Sequence, residues 1–208
     1  MIGDRAYGFE PLRVAAIGRA VLDGLARAGV VGTIKHMPGH GRSLVDTHKE
    51  LPTVTATADD LESDIAPFKA LADAPIAMTG HLVFTAWDAE RPATQSPLVI
   101  DQVIRGQIGF DGLLLTDDLD MEALSGTVPE RAEIALKAGC DIALNCWGKL
   151  DDMTGICERV GAMSAATAAR HARALAAIQP PRPSAAQAEL VAKRDALLAL
   201  LETAEAKA

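Results

Sequence analysis

The stretch Gly112-Leu113-Leu114-Leu115-Thr116-Asp117-Asp118 joins an apolar run of strand length directly to two carboxylates. A continuous apolar run without alternation is typical of a strand that is buried on both faces, as in a parallel sheet. Acidic residues at the end of such a strand either cap the N-terminus of a following helix or carry chemistry. We assign capping to Asp118 or Asp120 and predict that Asp117, immediately after the strand, is a candidate catalytic group.

Helices and strands alternate on both sides of this stretch. Apolar residues from Val14 to Leu25 keep helical spacing up to Gly29, and residues 30–34 follow as a short apolar strand. The later predicted elements are a helix over 61–71 that Pro67 divides into two, a strand at 76–79, a helix from Ser96 to about 107, a strand at 113–116, a helix from Pro129 to Gly139 and a strand at 141–145. Because strands linked by helices pair in parallel, the chain is predicted to have an α/β fold.

Polar residues are predicted to follow each of these strands, at the sheet edge where ligands bind in such folds. They are Lys35 and His36, Gly80 and His81, Asp117 and Asp118, and Asn145 and Cys146. We therefore expect one site at the carboxyl ends of the strands.

Composition excludes several classes of protein. The net charge of -8 argues against a nucleic-acid partner, since such binding needs clustered Lys and Arg. The 3 cysteines are odd in number and have no Cys-x-x-Cys spacing, which argues against a disulfide framework. No apolar run approaches the roughly 18–20 residues that span a bilayer. We predict a cytoplasmic protein with a small-molecule substrate and without a membrane or nucleic-acid partner.

Residues 35–48, KHMPGHGRSLVDTH, contain three of the five histidines. On an extended segment the side chains of Asp46 and His48 point to the same side, so the carboxylate can raise the basicity of the imidazole. This pair is a candidate acid/base dyad, and a solvated surface loop is the alternative. His40, within this stretch, is interpreted as a local loop contact. Of the two histidines outside it, His81 is interpreted as either a pocket residue or a satisfied core residue, and His171 as structural.

Three ordered motifs resemble glycoside hydrolase family 3, most closely its bacterial β-N-acetylhexosaminidases that act in cell-wall recycling. They are Ile2-Gly3-Asp4-Arg5, Lys35-His36-Met37-Pro38-Gly39-His40-Gly41 running on to Asp46-Thr47-His48, and Leu115-Thr116-Asp117-Asp118-Leu119-Asp120-Met121. The resemblance implies a (β/α)8 TIM-barrel type of fold, a retaining exo-β-N-acetylglucosaminidase activity on peptidoglycan-derived muropeptides, and no cofactor or metal.

The same resemblance implies roles for individual residues. Asp117 would be the nucleophile that forms a covalent glycosyl-enzyme, His48 the general acid/base and Asp46 its partner. Arg5, Lys35 and His36 would bind the hydroxyls of N-acetylglucosamine. A retaining glycosidase needs one anionic nucleophile and one proton donor, and histidine can be that donor when a carboxylate tunes it.

The chain departs from the family pattern in its number of strands. Four strands are predicted, so the chain would carry roughly the C-terminal half of the barrel, at residues 1–178, followed by a Pro-rich linker at 179–184 and a C-terminal helix at 185–208. A fragment or wrongly started gene model, a complementing half-barrel or homo-oligomer, and a decayed remnant would each explain this, and we favour the first.

Three alternative functions remain open from the sequence. Phosphorolysis is one, because a histidine acid/base repels phosphate less than a carboxylate does. Metal-dependent hydrolysis through His36, His40, His48 and Asp46 is the second. The third is an inactive half-barrel module for binding or assembly, suggested by the missing strands and the C-terminal amphipathic helix.

Overall fold

The computed structural model describes residues 5–43, 50–181 and 187–205. Within these residues the strands are β1 Thr33–Met37, β2 Thr53–Val54, β3 Ile76–Thr79, β4 Val83–Phe84, β5 Asp88–Pro92, β6 Leu113–Asp118 and β7 Ile142–Leu144. The helices are α1 Pro11–Arg27, α2 Ala58–Ala70, α3 Val128–Ala138, α4 Leu150–Arg159, α5 Ala165–Ala176 and α6 Gln187–Glu205, with a short 3-10 helix Ala93–Gln95 and a π-helix Val99–Gln107.

The main sheet has four parallel strands in the order β1-β3-β6-β7. Consecutive main-sheet strands are connected by helical segments, as a parallel sheet requires. This order confirms the predicted α/β fold and brings the carboxyl ends of all four strands to one edge. Among the described residues β1 and β7 each pair with one neighbouring strand of this sheet, so the arrangement corresponds to one half of a barrel.

A second, smaller sheet was not predicted from the sequence. It has the order β2-β4-β5, with β2 and β4 parallel and β4 and β5 antiparallel. It lies along the chain between β1 and the π-helix, interrupted by α2 and β3. Its strands β4 and β5 connect the end of β3 to the 3-10 helix. His81, a residue of the site described below, lies in this connection between β3 and β4.

Local sequence signals explain where several helices begin and end. Thr57 and Asp60 form a capping box that starts α2, and Thr127 and Glu130 form one that starts α3. Gly139 ends α3 with a φ of 118°, a left-handed conformation that favours glycine. The predicted start and end of α3 are therefore explained by its cap residues.

The structure corrects three sequence predictions. Pro67 does not divide the segment into two helices, because it lies near the end of α2 and removes one backbone donor, a loss that a single helix tolerates. The first strand is displaced towards the C-terminus. Lys35 and His36 lie inside β1, and not after it, because pairing with β3 continues as far as Met37 and Thr79. In the same way Asp117 and Asp118 are the last two residues of β6, and do not follow it, because pairing with β7 continues as far as Asp118 and Leu144.

The core lies between the main sheet and its helices. Ala77 of β3 and Leu114 of β6 are fully buried and belong to the main apolar cluster. The residues that alternate with them, including Met78 and Leu115, are partly exposed. Since alternate residues point to opposite faces of a sheet, one face is covered by helices and the other is partly open.

The helices described here include none that is both long and apolar enough to cross a membrane. The division of the chain at residues 178, 179–184 and 185 remains a prediction, and residues 182–186 lie outside the described ranges.

Candidate active site

Asp117 and His36 meet at the carboxyl edge of the main sheet. They belong to β6 and β1, which are separated by β3. The Nε2 atom of His36 lies 3.6 Å from the Oδ2 atom of Asp117. The other carboxylate oxygen, Oδ1, accepts a hydrogen bond of 2.9 Å from the backbone N–H of Asp118. The carboxylate is thus fixed through one oxygen, and the second oxygen faces the imidazole.

Burial determines the charge of His36. The removal of its ring from water lowers the pKa to about 4, although the nearby Asp117 carboxylate acts in the opposite direction. The Nδ1 atom of this ring has no hydrogen-bond partner among the described residues. Near neutral pH His36 is therefore a neutral imidazole, which can exchange hydrogen bonds with a ligand and does not act as a fixed cation.

His40 packs beside His36. The two ring centroids are 5.3 Å apart, and burial lowers the pKa of His40 as well. Gly80 makes this packing possible, because a Cβ atom at that position would lie 3.2 Å from the Cβ atom of His36 and 3.6 Å from Cδ2 of His40. The sequence indicates that Gly80 follows a strand, but it does not indicate that this position requires glycine.

The prediction that Asp118 or Asp120 caps a helix is wrong, and both side chains instead accept backbone hydrogen bonds within and between loops. Asp118 Oδ1 accepts from the N–H groups of Asp120 at 3.2 Å and Cys146 at 3.0 Å. Asp120 Oδ2 accepts from the N–H of Trp147 at 3.2 Å. The next helix begins at Val128. The two side chains instead join the loop after β6 to the loop after β7, which holds the segment around Asp117 in place.

His81 is a buried residue of the site's interior, which resolves the alternatives that the sequence left open. Its exposed fraction is 0%. Both ring nitrogens have partners: Nδ1 lies 2.8 Å from Oγ1 of Thr94, and Nε2 lies 3.0 Å from the carbonyl oxygen of Asp118.

Arg5 and Lys35 lie beside a cavity of about 480 Å³ that His36 and His40 also line. This cavity extends behind β1, between α1 and α2, where Leu22 and other apolar side chains form its wall. Asp117 does not line it. The Asp117 carboxylate lies at the sheet edge, outside this cavity, and His36 lies between that edge and the cavity.

Asp46 and His48 lie outside the described residues, so the structure does not test their approach to Asp117. The chain around them is described on both sides. The N–H of buried Ser43 donates to the carbonyl oxygen of His40, and Thr53 begins β2. In the described part of the chain no group of three His, Cys, Asp or Glu side chains could hold a metal ion. Two of the four ligands of the metal hypothesis fall outside that part.

A parallel α/β domain with a carboxylate and a neutral imidazole at the carboxyl edge of its sheet has the architecture of an α/β enzyme domain whose site lies at the strand ends. Residues 1–186 match the model of the glycosyl hydrolase family 3 N terminal domain, and the chain belongs to this family. The resemblance stated from the sequence motifs is thereby confirmed.

Known relatives are similar over most of this chain. A beta-hexosaminidase from Bordetella avium is 42% identical over 151 residues, which cover 70% of this chain and 43% of that protein. A family 3 beta-N-acetylglucosaminidase from Paenibacillus sp. has a TM-score of 0.77 and 30% identity, covering 89% of this chain and 39% of that structure. NagZ from Neisseria gonorrhoeae in complex with N-trifluoroacetyl-D-glucosamine has a TM-score of 0.74 and 33% identity, covering 86% and 53%. The chain spans less than half the length of the curated relatives it matches.

Proposed function

We propose that this chain carries the nucleophile-bearing half of a retaining exo-β-N-acetylglucosaminidase. The substrate is a glycan with a terminal β-linked N-acetylglucosamine, in particular a peptidoglycan-derived muropeptide. The single observation that carries the proposal is the approach of His36 to Asp117 at the edge of a family 3 sheet. The N-acetylglucosaminidase titles of similar structures support the choice of sugar.

In this proposal Asp117 is the nucleophile. Its Oδ2 atom attacks the anomeric carbon while the glycosidic C–O bond breaks, and the leaving oxygen takes a proton from His48. A water molecule then attacks the same carbon, His48 recovers a proton from that water, and the Asp117 carboxylate is released. Asp46 holds the imidazole of His48 throughout. Each step conserves protons, as a two-step retaining mechanism requires.

The basic and imidazole side chains near Asp117 bind the sugar hydroxyls. His36 remains neutral at pH 7 and so can accept from one hydroxyl without forming a salt bridge that would neutralise the nucleophile. Lys35 lies next to it in β1, and Arg5 borders the same cavity. Both are exposed, so they are accessible to a ligand.

Trapping with a 5-fluoro glycosyl fluoride of N-acetylglucosamine, which keeps the 2-acetamido group, tests the nucleophile. Slow turnover should leave an adduct on the peptide that contains Asp117, detected by mass spectrometry. Asp117→Asn should give no adduct, whereas Asp118→Asn, the matched neighbour, should still be labelled. An adduct on another residue, or the same labelling in Asp117→Asn, would contradict the assignment.

Phosphorolysis is the second candidate within the same site. It is favoured by the histidine at position 48, which repels incoming phosphate less than a carboxylate would. Reaction in phosphate buffer separates the two activities: N-acetylglucosamine supports hydrolysis, and N-acetylglucosamine 1-phosphate supports phosphorolysis.

The third candidate is an inactive half-barrel module that assembles with a complementing half or a second copy. The partly exposed sheet face that includes Met78 and Leu115 supports an assembled state. Sedimentation of the 208-residue chain distinguishes the outcomes. A compact oligomer without glycosidase activity would favour this module, and an active protein would exclude it.

We also propose that the protein acts in the cytoplasm. The support is its cysteine chemistry, since Cys140, Cys146 and Cys157 are all free thiols and Cys140 is buried. Location by fractionation of the source cells would test this.

A further inference from the structure

His81 occupies a buried position between the two strands that carry His36 and Asp117. It lies two residues after the end of β3, and its ring reaches the backbone at the end of β6 through the Nε2 contact with the Asp118 carbonyl oxygen, at 3.0 Å. On its other side the ring contacts Thr94, which belongs to the 3-10 helix. One side chain therefore connects β3, the 3-10 helix and the end of β6.

The hydrogen-bond partners determine the tautomer of this ring. A carbonyl oxygen can only accept, so the Nε2 atom of His81 carries a hydrogen. Nδ1 of a neutral ring then accepts from Oγ1 of Thr94 at 2.8 Å, and that hydroxyl accepts from Thr79 at 2.8 Å. The Thr94 hydroxyl also lies 3.1 Å from the carbonyl oxygen of Gly80, where it would donate if the ring were protonated.

The charged surroundings act on this ring in both directions. Burial is the largest effect on the pKa of His81 and lowers it, and the positive charge of Arg131 lowers it as well. The hydrogen bond to the Asp118 carbonyl and the carboxylates of Asp117 and Asp118 raise the pKa, but by less than burial lowers it. The neutral form with hydrogen on Nε2 satisfies both nitrogens.

Asp118 relays this contact to the nucleophile. Its carbonyl oxygen accepts from His81 at 3.0 Å and from the N–H of Met121 at 3.3 Å, and its own N–H donates to Oδ1 of Asp117 at 2.9 Å. Its own carboxylate holds the N–H groups of Asp120 and Cys146. A shift of the Asp118 backbone would therefore change the direction of the Asp117 carboxylate relative to His36.

We propose that His81 is a positioning residue, which orients the nucleophilic carboxylate of Asp117 by fixing the backbone of Asp118. The proposal rests on the function proposed above. It does not require His81 to touch the substrate or to exchange a proton during the reaction.

Two substitutions separate the contacts of the ring. His81→Gln places an amide N–H near the position of Nε2 and keeps the donation to Asp118. His81→Asn places its amide near the position of Nδ1 and loses that donation. His171→Gln, on α5, is the matched control histidine. All are made in the full chain, and thermal melting checks that each variant is folded.

We expect His81→Gln and His171→Gln to keep a kcat close to that of the unchanged chain with a 4-nitrophenyl N-acetyl-β-glucosaminide. His81→Asn should lower kcat by about 10- to 100-fold, the loss expected when a reacting group is displaced by about an ångström, and should leave KM unchanged. Equal losses in His81→Gln and His81→Asn, or no loss in either, would overturn the proposal.

A spectroscopic measurement keeps the proposal separate from the glycosidase activity. In chain labelled with 15N-histidine and 13C-aspartate, the His81 ring should be the neutral tautomer with hydrogen on Nε2. The carboxyl signal of Asp117 should move in His81→Asn and not in His81→Gln. If His81→Asn does not fold, His81→Leu, which also lacks a donor to the Asp118 carbonyl oxygen, should move the same Asp117 signal.

These readouts distinguish two failures. A chain without hydrolytic activity but with the expected tautomer and Asp117 shifts would contradict the proposed function and support the positioning role. An Nδ1–H tautomer in the unchanged chain, or an Asp117 signal that is the same in all variants, would overturn the positioning role whatever the activity.

Discussion

The Nε2 atom of His36 lies 3.6 Å from the Oδ2 atom of Asp117, although the two residues belong to strands that do not pair with each other. The intervening strand, β3, ends at Thr79, and the small size of the next residue, Gly80, lets the His36 side chain pack over it. The distance between His36 and Asp117 thus depends on the relative positions of three strands of the sheet, so the pKa of His36 reports whether the site is assembled.

Asp117→Asn should lower the pKa of His36 further, to below about 4. The carboxylate stabilises the imidazolium form, so its replacement by a neutral amide leaves the effect of burial unopposed. NMR titration of the histidine ring measures the change. Asp120→Asn, which alters a carboxylate of the neighbouring loop, should change the His36 pKa less. A pKa that rises in Asp117→Asn would show that the carboxylate is not the dominant charge near this ring.

Folding stability should fall as the pH is lowered from about 6.5 to about 4. The pKa of His36 is depressed in the folded protein, so in this range the unfolded chain binds a proton that the folded chain does not. The full contribution, about 3 kcal/mol, is present above the unfolded pKa and is lost progressively towards the folded one. Urea unfolding of His36→Gln across this range should show a weaker pH dependence. His171→Gln should leave the dependence unchanged, and an unaltered slope in His36→Gln would contradict the prediction.

Asp141→Asn should destabilise the fold by about 3–5 kcal/mol, the range for breaking a buried ion pair. The Asp141 side chain is 2% exposed and accepts from Arg105 at 2.8 Å and Arg170 at 3.2 Å. It also accepts from the N–H of Leu114 at 2.9 Å, so it joins β6 to the residue before β7. Urea unfolding gives the change. Glu62→Gln removes an exposed pair with Lys69 and should cost at most about 1 kcal/mol. Similar effects in the two variants would contradict the buried-pair interpretation.

Replacement of Gly139 and of Gly24 by alanine should change the folding stability in opposite directions. Gly139→Ala should destabilise by about 1–3 kcal/mol, because its φ of 118° is strained for alanine and the new Cβ would lie 2.9 Å from Cγ2 of Ile100. Gly24→Ala, in α1 with nothing within 4 Å of the new Cβ, should stabilise by about 0.5–1 kcal/mol. Thermal melting of both variants checks the pair, and a shift of the same sign in both would contradict it.

The strands of the main sheet were predictable because the pattern that indicates each strand lies within a few consecutive residues. Each of its strands is a short apolar run beside helical periodicity, and the parallel order follows from the alternation. The place of Asp117 at the sheet edge was predictable in the same way, although the residue lies within the last two positions of β6 and not after the strand. The register of β1 was not predictable, because Lys35 and His36 are polar and their inclusion in the strand depends on pairing with β3.

The small sheet and the role of His81 depended on contacts that the sequence does not display. The strands Thr53–Val54 and Val83–Phe84 have two residues each, too few for any periodicity. Asp88–Pro92 is mostly polar and contains no apolar alternation. The partners of His81 lie 13 and 37 positions away along the chain, so its burial and hydrogen bonds emerge once the strands have assembled.

The anchoring on either side of residues 44–49 has a consequence for protein engineering. The chain is anchored at Ser43, whose N–H donates to the carbonyl oxygen of His40, and again at Pro52, whose carbonyl oxygen accepts from the N–H of Val83. The free-energy cost of closing a loop depends only weakly on its length, so the residues between these two anchors, 44–51, can be exchanged as a unit. Segments of different length from family 3 relatives could therefore be inserted between the same anchors without redesigning the scaffold.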